Sequence, residues 1–138
     1  MVPNFRVWDI IAKRYYSVET WHMEDEYVDL IESNKSTADP NAKRFWRRIS
    51  EVILEQSTGL KDVNGKEIYE GDIIHAIRED SYDRTGKILF EEGAYVVDNG
   101  MDKCLINPMC GEFIILKIIG NVHENPELLE AQHDTRTD

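Results

Sequence analysis

The sequence predicts a mainly β protein with minor α content, and three observations carry that expectation. Short apolar runs recur along the chain, separated by clusters of glycine, asparagine and aspartate that favour turns. The stretch from Gln56 to Ile74, Q-S-T-G-L-K-D-V-N-G-K-E-I-Y-E-G-D-I-I, packs two tight turns and a pair of short extended runs into one segment. Near the other end, Phe113-Ile114-Ile115-Leu116 is too continuous for a face in water and reads as a strand through a core.

Taken in order, Phe5, Val7 and Trp8 open a first strand, Ala12-Lys13-Arg14 turns, and Tyr15-Tyr16-Ser17-Val18 returns antiparallel. From Thr20 to Ile31 two readings stand. Trp21, Tyr27, Val28, Leu30 and Ile31 fit one face of a helix with Thr20 as N-cap, and the last four equally fit a strand after a polar loop. Ser33 to Asn41 is a loop. Asp39-Pro40 suits a helix start, and Phe45, Trp46, Ile49, Val52 and Ile53 recur at helical spacing, so a helix is expected between Thr37 and Ser50. It ends near Ser50 if Val52-Ile53-Leu54 is instead a strand.

In the central stretch, Asp62-Val63-Asn64-Gly65 is a turn, because Asp62 can accept from backbone two residues on and Asn64-Gly65 tolerates positive φ. Glu70-Gly71-Asp72 is a second turn, with Gly71 in a conformation that other residues resist. Ile73 to Ile77 follows as a buried strand, and Gly59 marks a kink upstream. Beyond a polar loop from Arg78 to Arg84, Lys87 to Phe90 and Ala94 to Val97 form a hairpin about Glu91-Glu92-Gly93. Asp98-Asn99-Gly100 turns, Lys103 to Ile106 is a short strand, and Glu112 to Ile119 is a long one. Asn125-Pro126-Glu127-Leu128-Leu129 reads as a one-turn helix with Asn125 as cap and Pro126 at its first position. Residues 131–138 read as a flexible tail.

Three pieces of this sequence resemble the YopX family of bacteriophage and prophage proteins. Phe5-Arg6-Val7-Trp8-Asp9 is similar to the family's F-R-x-W-D. The run Thr58-Gly59-Leu60-Lys61-Asp62-Val63-Asn64-Gly65-Lys66-Glu67-Ile68-Tyr69-Glu70-Gly71-Asp72-Ile73-Ile74 is similar to its central signature. Ile119-Gly120-Asn121-Val122-His123-Glu124-Asn125-Pro126-Glu127-Leu128-Leu129 is similar to its I-G-N-I-Y-E-N-P-E-L-L. The pieces stand in family order, with Ser57 and His123 where aromatics are usual and the segment 22–50 matching none of them. The resemblance implies one domain over 1–130, an SH3-like partial barrel with 22–50 as a helical or irregular insertion, and a phage or prophage origin. The family has no established activity, so no catalytic residues carry over, and Trp8, Asp9, Thr58, Gly59, Leu60, Asp62, Gly65, Tyr69, Gly71, Asp72, Gly120, Asn121, Glu124, Asn125 and Pro126 are family-motif positions with an expected structural role, the glycines of the central stretch, Asp62 and Asp72 as turn builders.

At 138 residues, 41% apolar and 31% charged, the chain can bury a real core. No apolar run approaches the roughly 20 residues of a membrane helix, and the first residues lack the apolar core of a signal peptide, so a cytoplasmic protein is expected, and the family resemblance implies that the cell is a bacterial host. The net charge of −11 disfavours phosphate binding. Cys104 and Cys110 lack the paired spacing of a zinc site and read as reduced thiols. Glu79, Asp80 and Asp83 lack the glycine and spacing of a calcium loop. Asp72 and His75 come close enough in sequence to share a proton, but a turn aspartate beside a strand histidine is ordinary. No nucleophile, cofactor or metal motif is visible, so no enzyme activity, cofactor or metal is expected.

One cluster remains. Lys43-Arg44-Phe45-Trp46-Arg47-Arg48 joins basic and aromatic residues, so Arg44, Trp46, Arg47 and Arg48 are the candidate interaction surface. The function expected first is a small non-catalytic module that binds a phage or host protein, as SH3-like barrels commonly do. Read as a nucleic-acid contact, the cluster's arginines meet phosphates and Trp46 stacks a base. A solvated or internally paired face is the plainer alternative.

Overall fold

The computed structural model describes residues 4–78, 83–101, 103–106 and 113–129, with the backbone alone at 113 and 114. The chain forms two compact units, Met1–Gln56 and Ser57–Asp138. Strands dominate both.

In the first unit, β1 (Phe5–Asp9) and β2 (Arg14–His22) form the expected hairpin. Asp9 organises its turn: its Oδ1 accepts from the Ile11 N–H at 3.1 Å and its carbonyl from the Lys13 N–H at 2.8 Å, with Lys13 at φ +57°. β3 (Tyr27–Glu32) pairs with β2 across a bulge at Val18–Thr20, which settles the open reading of this segment as strand–turn–strand. β4 (Arg44–Arg48) pairs antiparallel with β3, and the opening five residues of β5 (Val52–Lys61) pair with β1. The order within this unit is therefore β4-β3-β2-β1-β5, with β4 at an edge. One face buries Val7, Tyr16, Val28 and Leu30, packed with Val18, Trp21, Phe45 and Val52. The alternation along each strand sends the neighbours of these residues to the other face.

The second unit takes up β5 from Ser57. β6 (Glu67–Tyr69) pairs back onto it, with an irregularity between Ser57 and Lys61 where Gly59 sits at φ +81°. A five-stranded antiparallel sheet has the order β10-β9-β8-β7-β11, built from β7 (Asp72–Arg78), β8 (Asp83–Glu91), β9 (Ala94–Asp98), β10 (Lys103–Leu105) and β11 (Phe113–Asn121). Ile68, Ile74, Ala76, Ile88, Val97 and Ile106 form its core, with Leu60, Tyr95, Leu116 and Ile118 against them. The β8–β9 hairpin turns through Glu92 and Gly93, both at positive φ, the pair of conformations that matches strand twist. A helical turn at 127–129 follows β11 as expected.

One expectation is corrected. The helix between Thr37 and Ser50 is absent: a loop leads into β4, and a single 3-10 turn, Ile49–Glu51, leads into β5. The burial of 44–48 has period two, with Phe45 and Arg47 covered and Arg44, Trp46 and Arg48 exposed, and aromatic residues suit a pleated surface. The apolar spacing that looked helical joins two separate strands. The strands form two antiparallel sheets, neither of them closed into a barrel. Phe113 and Ile114 lie in β11, but their side chains, Cys110 and the tail at 131–138 lie outside what is described.

Candidate interaction surface on the fourth strand

The basic aromatic cluster folds into two sets of side chains with different tasks. Arg47 points inward. Its Nε lies 3.1 Å from both carboxylate oxygens of Asp9, whose side chain is fully buried, and its guanidinium stacks on Phe45 at 4.7 Å. Burying a carboxylate is costly without a partner, and Arg47 supplies one from across the sheet. Sequence reading treated Asp9 as a motif position and Arg47 as a surface cation, but the sheet brings them together as one structural pair.

Arg44 is also committed. Its Nε meets Glu19 at 3.0 Å, and its terminal nitrogens donate to the carbonyls of Thr37, Asp39 and Ala42. It staples the 37–42 loop to the strand. Lys43 lies over the Phe45 ring at 5.5 Å.

Trp46 and Arg48 are different. Trp46 is 58% exposed, the most exposed tryptophan in the protein, and stands edge-on to Tyr27 at 6.0 Å. Tyr27 in turn stacks on His22 at 4.1 Å, and His22 Nε2 meets Asp29 at 2.8 Å. The Arg48 guanidinium is in no ion pair among the described residues, while its backbone N–H donates to Glu51 at 2.9 Å. Trp46, Arg48, Tyr27, Met23, Ile49 and Ser50 line an open groove together with Asp25 and Glu26. Tyr27 and Met23 were not singled out from sequence. What places them is the β2–β3 turn, and its tertiary pairing with β4 leaves no local signal.

The backbone of β4 completes the surface. The Glu32 N–H donates to the Lys43 carbonyl at 3.1 Å, and the Ile49 N–H donates to Glu26 at 3.0 Å. In an antiparallel ladder this phase turns the amides and carbonyls of Phe45 and Arg47 toward β3 and those of Arg44 and Trp46 toward the open edge. Among the described residues, the Trp46 backbone groups have no hydrogen-bond partner.

Several motif positions close turns, and others lie in strands. Asp62 Oδ1 accepts from the N–H groups of Asn64 and Lys66, both at 2.9 Å, and Oδ2 from Ile118 at 3.1 Å, so one carboxylate closes its own turn and ties it to β11. Burial opposes its charge, but the three N–H groups and the Lys66 cation outweigh it and hold the carboxyl below its ordinary 3.8. The Tyr69 N–H donates to Asp72 at 2.8 Å. Gly71, at φ +85°, donates to Ile88 at 2.9 Å and accepts from Val122 at 2.8 Å. Thr58 Oγ1 donates to the Ile68 carbonyl at 2.8 Å and accepts from Leu60 at 3.1 Å. Gly65, at φ +80°, closes the Asp62 turn, and Trp8 is buried edge-on to Tyr15.

The I-G-N-x-x-E-N-P segment is a self-capped turn. Asn121 Oδ1 accepts from His123 and Glu124, Asn121 Nδ2 donates to Glu124, and Asn125 Oδ1 accepts from the Asn121 N–H. A Cβ at Gly120 would lie 2.6 Å from Asn125 Oδ1, so only glycine lets the cap close. Pro126 follows at the start of the helical turn, where a missing N–H costs nothing.

Asp72 and His75 do not meet across the second turn. Asp72 caps Tyr69, whereas His75 lies 3.0 Å from Thr85 and 3.7 Å from Asp83. Cys104 lies in β10 against the second core, and Glu79 and Asp80 lie outside the described residues. Burial, reinforced by Glu70, raises the Tyr95 phenol above 10, as suits a hydroxyl that donates to the Ser57 carbonyl at 3.2 Å.

Comparison with known proteins adds a family. Residues 4–130 match the model of the YopX protein family. The SPbeta prophage-derived uncharacterized protein YopX of Bacillus subtilis (strain 168) is 28% identical over 142 residues, covering 95% of this chain and 98% of that protein. The crystal structure of protein EF1440 from Enterococcus faecalis has a TM-score of 0.59 at 23% identity, covering 94% of this chain and 99% of that one. The crystal structure of protein yopX from Bacillus subtilis has a TM-score of 0.57 at 22% identity, covering 90% and 95%. At those identities the two structures share its fold.

Proposed function

This chain belongs to the YopX protein family, and from that premise we propose that it is a phage- or prophage-encoded accessory protein that acts by binding a protein, without catalysis, in the cytoplasm of its bacterial host. The prophage origin of the Bacillus subtilis relative supports the setting. The partner is a phage or host protein, and its contact face is the outer side of β4.

The observation that carries this reading is the exposure of Trp46 beside Tyr27 in an open groove, with the Arg48 cation next to it. Tryptophan, tyrosine and arginine are the residues that dominate binding energy in protein interfaces, because each combines a large apolar area with a directed polar group. The family motif supports it from the other side, since its residues are consumed by turns and caps.

The nucleic-acid reading is the weaker one. A phosphate-binding face needs several accessible cations, whereas Arg44 and Arg47 are held by Glu19 and Asp9. The test is affinity capture from lysogenic cells with the parent protein and Trp46→Ala, followed by titration of the purified partner. At least tenfold weaker binding by a variant with the parent's melting temperature is expected. Binding of DNA or RNA at about 50 mM salt, lost by Arg48→Ala, would favour nucleic acid instead.

A further inference from the structure

The open edge of β4 has features of an acceptor for another strand. It presents the unpartnered amide and carbonyl of Trp46 in a row with those of Arg44. On the outer face, beside those groups, stand an exposed apolar ring and an exposed guanidinium. Edge strands with free backbone groups recruit extended peptides: the main chain supplies the hydrogen bonds and alternate side chains supply selectivity.

The geometry points to β4 as the docking edge for an extended segment of a partner protein, added antiparallel as a further strand, with an apolar side chain opposite Trp46 and a carboxylate opposite Arg48. Because the added strand runs antiparallel and side chains share a face every second residue, the segment reads acid, any residue, apolar, any residue, polar. This assignment rests on the reading above that β4 carries the contact face.

Charge decides between this occupant and a second copy of the chain. Two copies of β4 paired about Trp46 would set Arg44 of each opposite Arg48 of the other, and like charges directly opposite are unfavourable. A carboxylate at that position instead meets the Arg48 cation, which has no ion-pair partner among the described residues. The acidity of the chain does not work strongly against such a segment here. The unit containing β4 carries eight basic and ten acidic residues, and the rest of the chain carries eight and seventeen.

The test selects linear peptides from a random displayed library against the full chain, then measures amide hydrogen exchange with and without one selected synthetic peptide. Three results are expected together. Selected peptides alternate, lack proline and carry an acid two residues before an apolar residue. The Trp46 amide, unprotected in the protein alone, becomes protected at least tenfold, while Phe45 and Arg47 are protected already. Trp46→Pro, which removes the edge donor and the ring without touching the β3 ladder, abolishes binding; Trp46→Ala, which keeps the donor, weakens it. Circular dichroism shows both variants folded, and Arg48→Glu, with a melting temperature within a few degrees of the parent, shifts the selected acid to a base.

If a partner is captured through Trp46 but the Trp46 amide gains no protection, strand addition is overturned and the interaction surface stands. Capture indifferent to Trp46→Ala overturns both. No enriched peptide, or a concentration-dependent dimer that Trp46→Pro disperses, overturns the foreign segment as occupant.

Discussion

Asp62 shows how much one motif residue does. Three backbone N–H groups converge on a carboxylate that stays ionised. Its folded pKa lies below that of the unfolded chain, so its contribution to stability is full above about pH 4 and is lost as pH falls through the folded value. Thermal melts from about pH 7 to about pH 2.5 are expected to show a loss of stability that is smaller in Asp62→Asn. At neutral pH the same variant is expected to be destabilised by about 1–3 kcal/mol, because an amide cannot accept on both sides. Gly71 is a backbone case: at φ +85°, Gly71→Val is expected to cost about 1–3 kcal/mol, measured by urea unfolding.

At the scale of the element, β4 presents different side chains on its two faces. Its inner face carries Phe45 and Arg47, and its outer face Trp46 and Arg48. Arg47→Ala leaves the Asp9 carboxylate buried without its ion-pair partner, and a loss of about 2–4 kcal/mol is expected in chemical denaturation, moderated by the partial exposure of Arg47. Asp9→Asn with Arg47→Met is expected to recover part of that loss, since the pair is removed as a unit.

The strands whose turns are written locally were legible in the sequence. The Asp62–Gly65 and Gly71 turns, the β8–β9 hairpin and the helical turn after Pro126 each carry their own chemistry in two to five adjacent residues, although Asn125 turns its side chain back to the Asn121 N–H instead of capping the helix. β4 was not legible, because five residues with aromatics on both sides of an arginine fit either period, and only pairing with β3 decides between them. For the same reason Arg44, Trp46, Arg47 and Arg48 were found as a cluster, but not their division of labour. Asp9 and Glu19, which claim two of the arginines, are distant in sequence. Tyr27 reaches Trp46 only through the sheet.

For the whole molecule, two antiparallel sheets and little helix give a definite spectroscopic expectation: far-ultraviolet circular dichroism with a β-type minimum and no helical double minimum. A helix-dominated spectrum would contradict the strand assignment of 44–48 and much else. Charge is uneven along the chain, with seventeen acids against eight bases from Ser57 onward. Self-repulsion of that unit is expected to be screened by salt, so its melting temperature should rise between about 10 and 150 mM ionic strength.

Motif residues that build turns and a strand face proposed to meet a partner should separate cleanly under mutation. The measurement that separates them is the dissociation constant of the captured partner for Trp46→Ala and for Asp62→Asn, taken at a temperature where both are fully folded. Weakening of at least tenfold in Trp46→Ala, with affinity kept in the less stable Asp62→Asn, is the expected result. Unchanged affinity in Trp46→Ala, or loss of affinity in a folded Asp62→Asn, would place the contact elsewhere and contradict the assignment of β4.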